Sequence, residues 1–144
     1  LYQRLVEKDQ LALSVNAFLQ DSIDPGLWVF MLQPRAGVEN AKLEAALFDE
    51  LEFARRDEIP AAELDAAKNR LLAGFYRQMK TISGKANLLG QFEVMHGDVG
   101  EMAKYRAGIA KVTSADLQRV ARAWLAPRNR TIATLEPEKK ESAK

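Results

Sequence analysis

His96 is the only histidine in this chain of 144 residues, and Glu93 lies three residues before it. On a helix this spacing brings an imidazole and a carboxylate to one face, where both could contact a metal ion. A peptidase zinc site of the His-x-x-Glu-His type needs a second imidazole, and since the chain has no cysteine, no thiolate can replace it. We therefore predict no catalytic zinc here and interpret His96, which precedes Gly97, as a residue at the end of a helix.

Other patterns that carry chemistry are weak. No glycine-rich phosphate loop is present, and a serine triad would depend entirely on His96. Asp21 and Asp24 lack the remaining ligands of a calcium loop and fit a turn better. Arg119 and Arg122 could face nucleic acid from one helix. Because 21 lysines and arginines balance 20 aspartates and glutamates, a solvated helix face explains them better.

Composition predicts one folded domain. The hydrophobic content is 47% and the charged content is 28%, which are ordinary values for a folded chain of this length. No window of eighteen apolar residues predicts a membrane-spanning helix. Leu1 falls inside a predicted helix, so we expect the chain to be part of a longer polypeptide.

Two strands are predicted near the start of the chain. Residues 11–19 alternate between apolar and mixed positions, which is typical of a half-buried strand whose first residues, Leu11 to Val15, face the core. Turn-forming residues occupy 21–26, and residues 27–32 are apolar on both faces. We predict that this second strand is central and covered on both sides.

A block of helices follows the two strands. The second helix is expected to stop at Ser83-Gly84, and Thr113 with Asp116 predicts a capping box for the last one. Apolar residues at steps of three and four predict helices over residues 38–56, 60–82, 88–97, 102–109 and 113–126.

After this block we predict a last strand over Asn129 to Leu135 and a disordered charged tail over Glu136 to Lys144. We place a single domain at residues 1–135 and the tail at 136–144. Because the helices come as one block, the fold class is α+β, an antiparallel sheet with the helices packed on one face.

The segment from Leu5 to Val15, LVEKDQLALSV, resembles L-R-E-x-x-G-L-A-Y-S-V of the M16 zinc metallopeptidases, the insulinase, pitrilysin and mitochondrial processing peptidase family. Further similarities follow in the order of that family along nearly the whole chain. They are Asp24-Pro25-Gly26, Glu63-Leu64 with Ala67-Lys68, Gly97-Asp98, Val112-Thr113 with Asp116-Leu117 and Val120-Ala121, and Pro127 with Asn129-Arg130-Thr131.

The resemblance implies an M16 peptidase-like domain of the LuxS and processing-peptidase metallohydrolase fold, here its C-terminal portion without its N-terminal strands. In that family, homologous domains close around a substrate chamber, and one domain carries zinc while its partner carries none. We therefore expect no cofactor in this chain, zinc in another domain or subunit, and an extended peptide as substrate. The fragment alone would be inactive and could form a homo-oligomer. The resemblance also leans towards the bacterial envelope.

The family's zinc-free domain uses an arginine and a tyrosine, seven residues apart, to hold the substrate. The matching positions here are Val6 and Leu13, whose side chains donate no hydrogen bonds, and Gln10 replaces the family's glycine. We therefore assign no catalytic residue to the chain.

Residues 11–15 could also bind a peptide. An extended peptide could pair with the edge of this strand at Leu11, Ala12, Leu13 and Ser14, since strand addition uses the backbone and needs no particular side chain. The favoured hypothesis is a non-catalytic substrate-chamber domain of an M16-type zinc metalloendopeptidase. The alternative is a catalytically degenerate homologue that acts as a structural or assembly subunit.

Overall fold

The computed structural model describes residues 1–20 and 22–136. It confirms an α+β fold with an antiparallel sheet and many helices. The elements are a π-helix at Gln3–Lys8, strands β1 (Ala12–Leu19) and β2 (Trp28–Pro34), helices α1 (Asn40–Arg56), α2 (Ala61–Gln78), α3 (Ile82–His96), α4 (Glu101–Lys111) and α5 (Ser114–Trp124), and a short 3-10 helix at Pro127–Asn129.

The π-helix anchors the start of the sheet. Leu5 is fully buried and Val6 is 8% exposed, so this short helix contributes two apolar side chains to the core. The Asp9 amide donates to the Arg4 carbonyl at 2.8 Å, the i to i−5 bond that defines a π turn. The Leu11 amide then donates to the Leu5 carbonyl at 2.9 Å, which fixes the direction in which β1 begins.

Gln10, which joins the π-helix to β1, has φ of +51°, in the left-handed region where a Cβ atom is unfavourable. We expect Gln10→Gly to raise the free energy of unfolding by about 0.5–1 kcal/mol, because glycine adopts this φ without strain. The matched control is Glu7→Gly, an exposed position inside the π-helix, which should lower it by about the same amount. Urea unfolding of both variants measures the effect, and equal shifts of the same sign would contradict the strain argument.

Strands β1 and β2 form an antiparallel pair with Val15 opposite Leu32 and Leu19 opposite Trp28. The register shifts between Ala12 and Ser14, so Leu13 is an extra residue in a β-bulge. The prediction that all of Leu11 to Val15 face the core is therefore wrong at Leu13, which is 54% exposed.

The prediction that β2 is a central strand covered on both sides is also wrong. Within residues 1–20 and 22–136 the sheet has only β1 and β2, so each strand keeps one edge without a neighbour. Phe30 and Leu32 pack towards the helices, whereas Met31, on the opposite face, is 59% exposed. Apolar residues on both faces indicated burial, but here only one face meets the helices.

Helix α1 covers the inner face of the sheet and α5 packs against α1. Two apolar clusters hold this arrangement, and neither contains a residue from α2, α3 or α4. The first consists of Leu5, Val6, Leu11, Ala12, Leu43 and Ala46, and the second of Leu47, Leu51, Ala121 and Leu125.

Helices α2, α3 and α4 contact one another, and Leu64 of α2 and both Leu88 and Phe92 of α3 are buried. Polar contacts join this group to the rest of the chain. Ser114 Oγ donates to the Ile59 carbonyl at 2.7 Å, just before α2 begins.

The predicted stop of the second helix at Ser83-Gly84 is wrong, because α2 ends at Gln78 and these two residues lie inside α3. The break is set by Thr81, whose hydroxyl accepts a hydrogen bond from the Gly84 amide at 3.0 Å and so caps α3. The capping box of α5 is confirmed, with Thr113 and Asp116 each accepting from the other's amide at 3.1 Å.

The predicted last strand at Asn129 to Leu135 is wrong, since residues 130–136 have no regular secondary structure. Asn129 Nδ2 donates to the carbonyls of Ala123 and Trp124, so the chain is held at the end of α5. Asp21 and residues 137–144, most of the predicted tail, lie outside the described residues.

Across the described ranges, no helix combines the length and the apolar character needed to cross a membrane.

Candidate functional site

One hydrogen bond at the far end of the sheet shows which backbone groups of β1 point towards β2 and which lie on its free edge. The Gln20 amide donates to the Leu27 carbonyl at 2.8 Å, so the backbone of Gln20 points towards β2. Backbone groups alternate along an antiparallel strand, and the register is unbroken from Ser14 to Leu19. The N–H and C=O groups of Val15, Ala17 and Leu19 therefore point away from β2.

These groups have no strand beside them anywhere in the described part of the chain. An edge of this kind can accept another extended segment through main-chain hydrogen bonds. These backbone groups can hold a peptide in an extended conformation, in register with β1. It offers no nucleophile and no general base.

The four residues predicted for strand addition lie at the beginning of this edge. Ser14 is paired with Gln33 of β2, and the Leu11 carbonyl accepts from the Arg35 amide at 3.0 Å. The Ala12 carbonyl accepts from Arg35 Nε at 3.3 Å. Leu13 is left in the bulge with its side chain exposed, and the free backbone groups of β1 continue from there to Leu19.

Arg35 contacts the start of β1, which the sequence did not predict. It lies just after β2, is half-buried, and is held by its two bonds to the backbone at the start of β1. A single arginine between Pro34 and Gly37 has no spacing that points to a site. Its position depends on the bulge at Leu13, which the sequence pattern did not reveal.

Val6 and Leu13, which match the arginine and tyrosine of the M16 family, have different surroundings in this structure. Val6 is buried in the cluster with Leu5 and Leu43, so its side chain contacts the core. Leu13 projects from the bulge. Neither side chain can donate a hydrogen bond to a substrate, because valine and leucine side chains contain no polar atoms.

Arg4 ties the π-helix to α1 and so positions the start of β1. Its guanidinium lies 2.8 Å from Glu50, 3.3 Å from Asp9 and 3.4 Å from Asp49. Burial acts to raise the pKa of the Glu50 carboxyl, whereas the hydrogen bond from Arg4 acts to lower it. The Glu50 hydrogen bond likewise raises the pKa of Arg4. The Arg4–Glu50 ion pair thus serves as a structural clamp between the π-helix and α1.

His96 is the last residue of α3, and Gly97 follows it with φ of +70°, as predicted for a helix end. Its ring lies 5.2 Å from the Phe92 ring. Glu93, the other residue of the proposed metal pair, accepts a hydrogen bond from the Val99 amide at 3.2 Å. Residues 1–20 and 22–136 contain no group of three or more side chains suited to binding a metal ion.

A cleft of about 830 Å³ opens between α2, α3 and α4. Phe75, Phe92 and Tyr105 line its apolar wall, with ring centroids 5.1 Å and 6.0 Å from that of Tyr105. Lys104 on its rim is paired with Glu101. The cleft thus combines an aromatic wall with polar side chains, which include Arg70, Gln91 and His96.

The chain resembles known proteins of one family. Residues 1–71 match the family model described as the peptidase M16 inactive domain. A curated relative, the zinc protease PqqE of Helicobacter pylori, is 26% identical over 137 residues, which cover 95% of this chain and 31% of the relative. The chain thus spans less than a third of that protein's length.

Solved structures agree with this match. The inactive peptidase domain of a candidate zinc protease from Bordetella parapertussis has a TM-score of 0.74 at 27% identity, covering 90% of this chain and 71% of that one. A candidate zinc protease from Bordetella pertussis has a TM-score of 0.77 at 28% identity with the same coverage. A protease from Helicobacter pylori has a TM-score of 0.80 at 24% identity, covering 86% of this chain and 30% of that one, which shows the shared fold. The chain is therefore similar to M16 peptidases, and in particular to inactive peptidase domains of that family.

Proposed function

We propose that this chain forms a non-catalytic wall of the substrate chamber in an M16-type zinc metalloendopeptidase. Zinc would be carried by another domain of the same polypeptide or by a partner subunit. The observation that carries the proposal is the free edge of β1, where three residues present backbone groups to no neighbour within the described ranges. In this role the chain would bind an extended peptide by strand addition along residues 13–19, of which Leu13 and Ser14 belong to the predicted segment Leu11 to Ser14.

The composition of the edge supports this role. It consists of backbone groups flanked by exposed apolar side chains, including Phe18 at 46% and Leu19 at 64% exposure. Such a surface binds many sequences, since main-chain hydrogen bonds are common to all peptides. A wall of this kind increases the residence time of a substrate, whereas bond cleavage depends on the zinc-bearing partner.

Amide hydrogen exchange followed by NMR tests the proposal residue by residue. In the free chain the amides of Asn16, Phe18 and Gln20, which point towards β2, should exchange slowly, and those of Val15, Ala17 and Leu19 should exchange quickly. A soluble peptide of seven residues, rich in valine and threonine, should slow the second set by at least about tenfold at saturation. No peptide cleavage should occur with or without added zinc.

Two outcomes would contradict the proposal. The first is protection confined to the helices, and the second is an unchanged exchange rate at Val15 and Ala17 when the peptide is bound. Self-association must be excluded, because exposed apolar surface favours it. Sedimentation at the NMR concentration provides that control.

The alternative role as a degenerate assembly subunit is favoured by Val6 and Leu13, which replace the donors expected at these positions. Zinc content of the full natural polypeptide with its partners separates the two roles. Zinc in the assembly supports the peptidase role, and an assembly without zinc and without peptidase activity supports the structural one.

A further inference from the structure

The inner face of the sheet continues past the helices at the end where β1 finishes. Phe30 packs towards the helices, and Ala17 lies directly opposite it on β1. Residues directly opposite each other, and those two positions further along each strand, share a face of the sheet. Leu19 and Trp28 therefore belong to the inner face, but they are 64% and 45% exposed. An apolar stretch of this face is thus open to solvent.

Ala17 leaves a gap in this stretch, which we call the Ala17 subsite and define by Ala17, Leu19, Trp28 and Phe30. Ala17 is exposed and carries the smallest side chain that β1 places on the inner face between residues 15 and 19. Beyond it, the Trp28 and Phe30 rings stack with their centroids 5.6 Å apart and an interplanar angle of 29°. Because Ala17 presents only a methyl group, a large side chain on the free edge of β1 can reach these rings across it.

We propose that the Ala17 subsite binds a large apolar or aromatic side chain of the peptide that pairs with β1. This inference rests on the proposed function, since it assigns a substrate class to the same strand edge. The class is an extended peptide in which a large apolar residue stands among polar ones.

The backbone of Ala17 brings a peptide side chain to this subsite. Its N–H and C=O groups point away from β2, towards the free edge. A peptide residue that bonds to both groups in an antiparallel strand lies directly opposite Ala17, so its side chain is on the inner face. The peptide residues before and after it point to the outer face, where their neighbours on β1 are Asn16 and Phe18. The subsite on the inner face is apolar throughout, whereas the outer face is mixed.

The test compares two peptides of seven residues, acetylated and amidated, that differ only in whether the central residue is phenylalanine or alanine. The other six positions are threonine and lysine. We expect the 144-residue chain to bind the phenylalanine peptide about tenfold more tightly, because its ring leaves water and packs against aromatic rings. In Ala17→Phe the introduced ring fills the subsite, so both peptides should bind as the alanine peptide does.

Met31→Phe is the matched control for this substitution. Met31 lies on the opposite face of the sheet and is 59% exposed, so a ring added there does not enter the subsite. This variant should keep the full preference for the phenylalanine peptide. Loss of the preference in Met31→Phe as well as in Ala17→Phe would contradict the placement of the subsite on the inner face.

The fluorescence of Trp28 provides a second measurement that leaves the subsite unaltered. The chain has two tryptophans, and Trp124 is 68% exposed, so Trp124→Phe leaves Trp28 as the only one. The emission of Trp28 should shift to shorter wavelength with the phenylalanine peptide and remain unchanged with the alanine peptide. Tight binding of the phenylalanine peptide without this shift would overturn the subsite.

Amide exchange separates failure of the subsite from failure of the proposed function. Equal binding of the two peptides to the unaltered chain, with the Val15 and Ala17 amides protected in both cases, would exclude the subsite and leave strand addition intact. Failure of both peptides to protect these amides would instead overturn the proposed function itself.

Discussion

Ala17→Pro is expected to weaken peptide binding strongly while the two-stranded sheet survives. The amide of Ala17 points away from β2, so proline at this position removes a donor from the free edge and none from the pairing of β1 with β2. The proline ring also blocks the approach of an added strand. We expect at least a tenfold loss of affinity for the extended peptide, measured by fluorescence anisotropy, with the circular dichroism spectrum unchanged.

Phe18→Pro, one residue further, provides the control. Phe18 lies opposite Val29 and its amide points towards β2, so proline there removes a hydrogen bond inside the sheet. This variant should lose thermal stability as well as peptide binding. If Ala17→Pro destabilised the chain as much as Phe18→Pro, the assignment of the free edge would be wrong. If Ala17→Pro bound peptide normally, strand addition at β1 would be excluded.

Leu5→Ala is expected to lower the free energy of unfolding by about 3 kcal/mol. Leu5 is fully buried, and it packs in the cluster with Leu11, Ala12 and Leu43 that joins the π-helix, β1 and α1. Truncating it leaves a cavity at the point where these three elements meet. Urea unfolding at 25 °C measures the change.

Leu13→Ala is the matched control for this substitution, because the same atoms are removed from a side chain that is 54% exposed. We expect it to change the free energy of unfolding by less than about 1 kcal/mol. Similar losses in the two variants would mean that the core does not lie where the cluster around Leu5 places it.

The two strands could be predicted from the sequence, but the bulge between them could not. The odd positions of residues 11–19 are apolar, and Leu13 is one of them. The alternation therefore predicts that Leu13 faces the core. A bulge inserts one residue without changing the composition of the strand. The side of the sheet on which Leu13 lies depends on how β1 pairs with Pro34 and Gln33, which is a tertiary property.

One helix boundary could be predicted from neighbouring residues, whereas another could not. The capping box at Thr113 was visible because both partners lie within four residues. Apolar residues continue at helical spacing across Met79 and Ile82, so the pattern alone predicted one uninterrupted helix. The cap at Thr81 competes with that pattern and divides it into α2 and α3.

The predicted last strand failed for a different reason. Residues 129–135 are rich in β-forming types, but a strand exists only where a neighbour supplies hydrogen bonds. In the described part of the chain Asn129 ends the 3-10 helix that follows α5, and residues 130–135 come after it with no strand beside them. The contacts of Arg35 with the start of β1 were not predicted for the same reason, because they depend on which residues lie next to it in space.

The separation of α2, α3 and α4 from the two apolar clusters has an evolutionary consequence. Because neither cluster contains a residue of α2, α3 or α4, we expect substitutions on the surface of these helices and around their cleft to leave the packing beneath β1 unchanged. The two halves can therefore diverge at different rates.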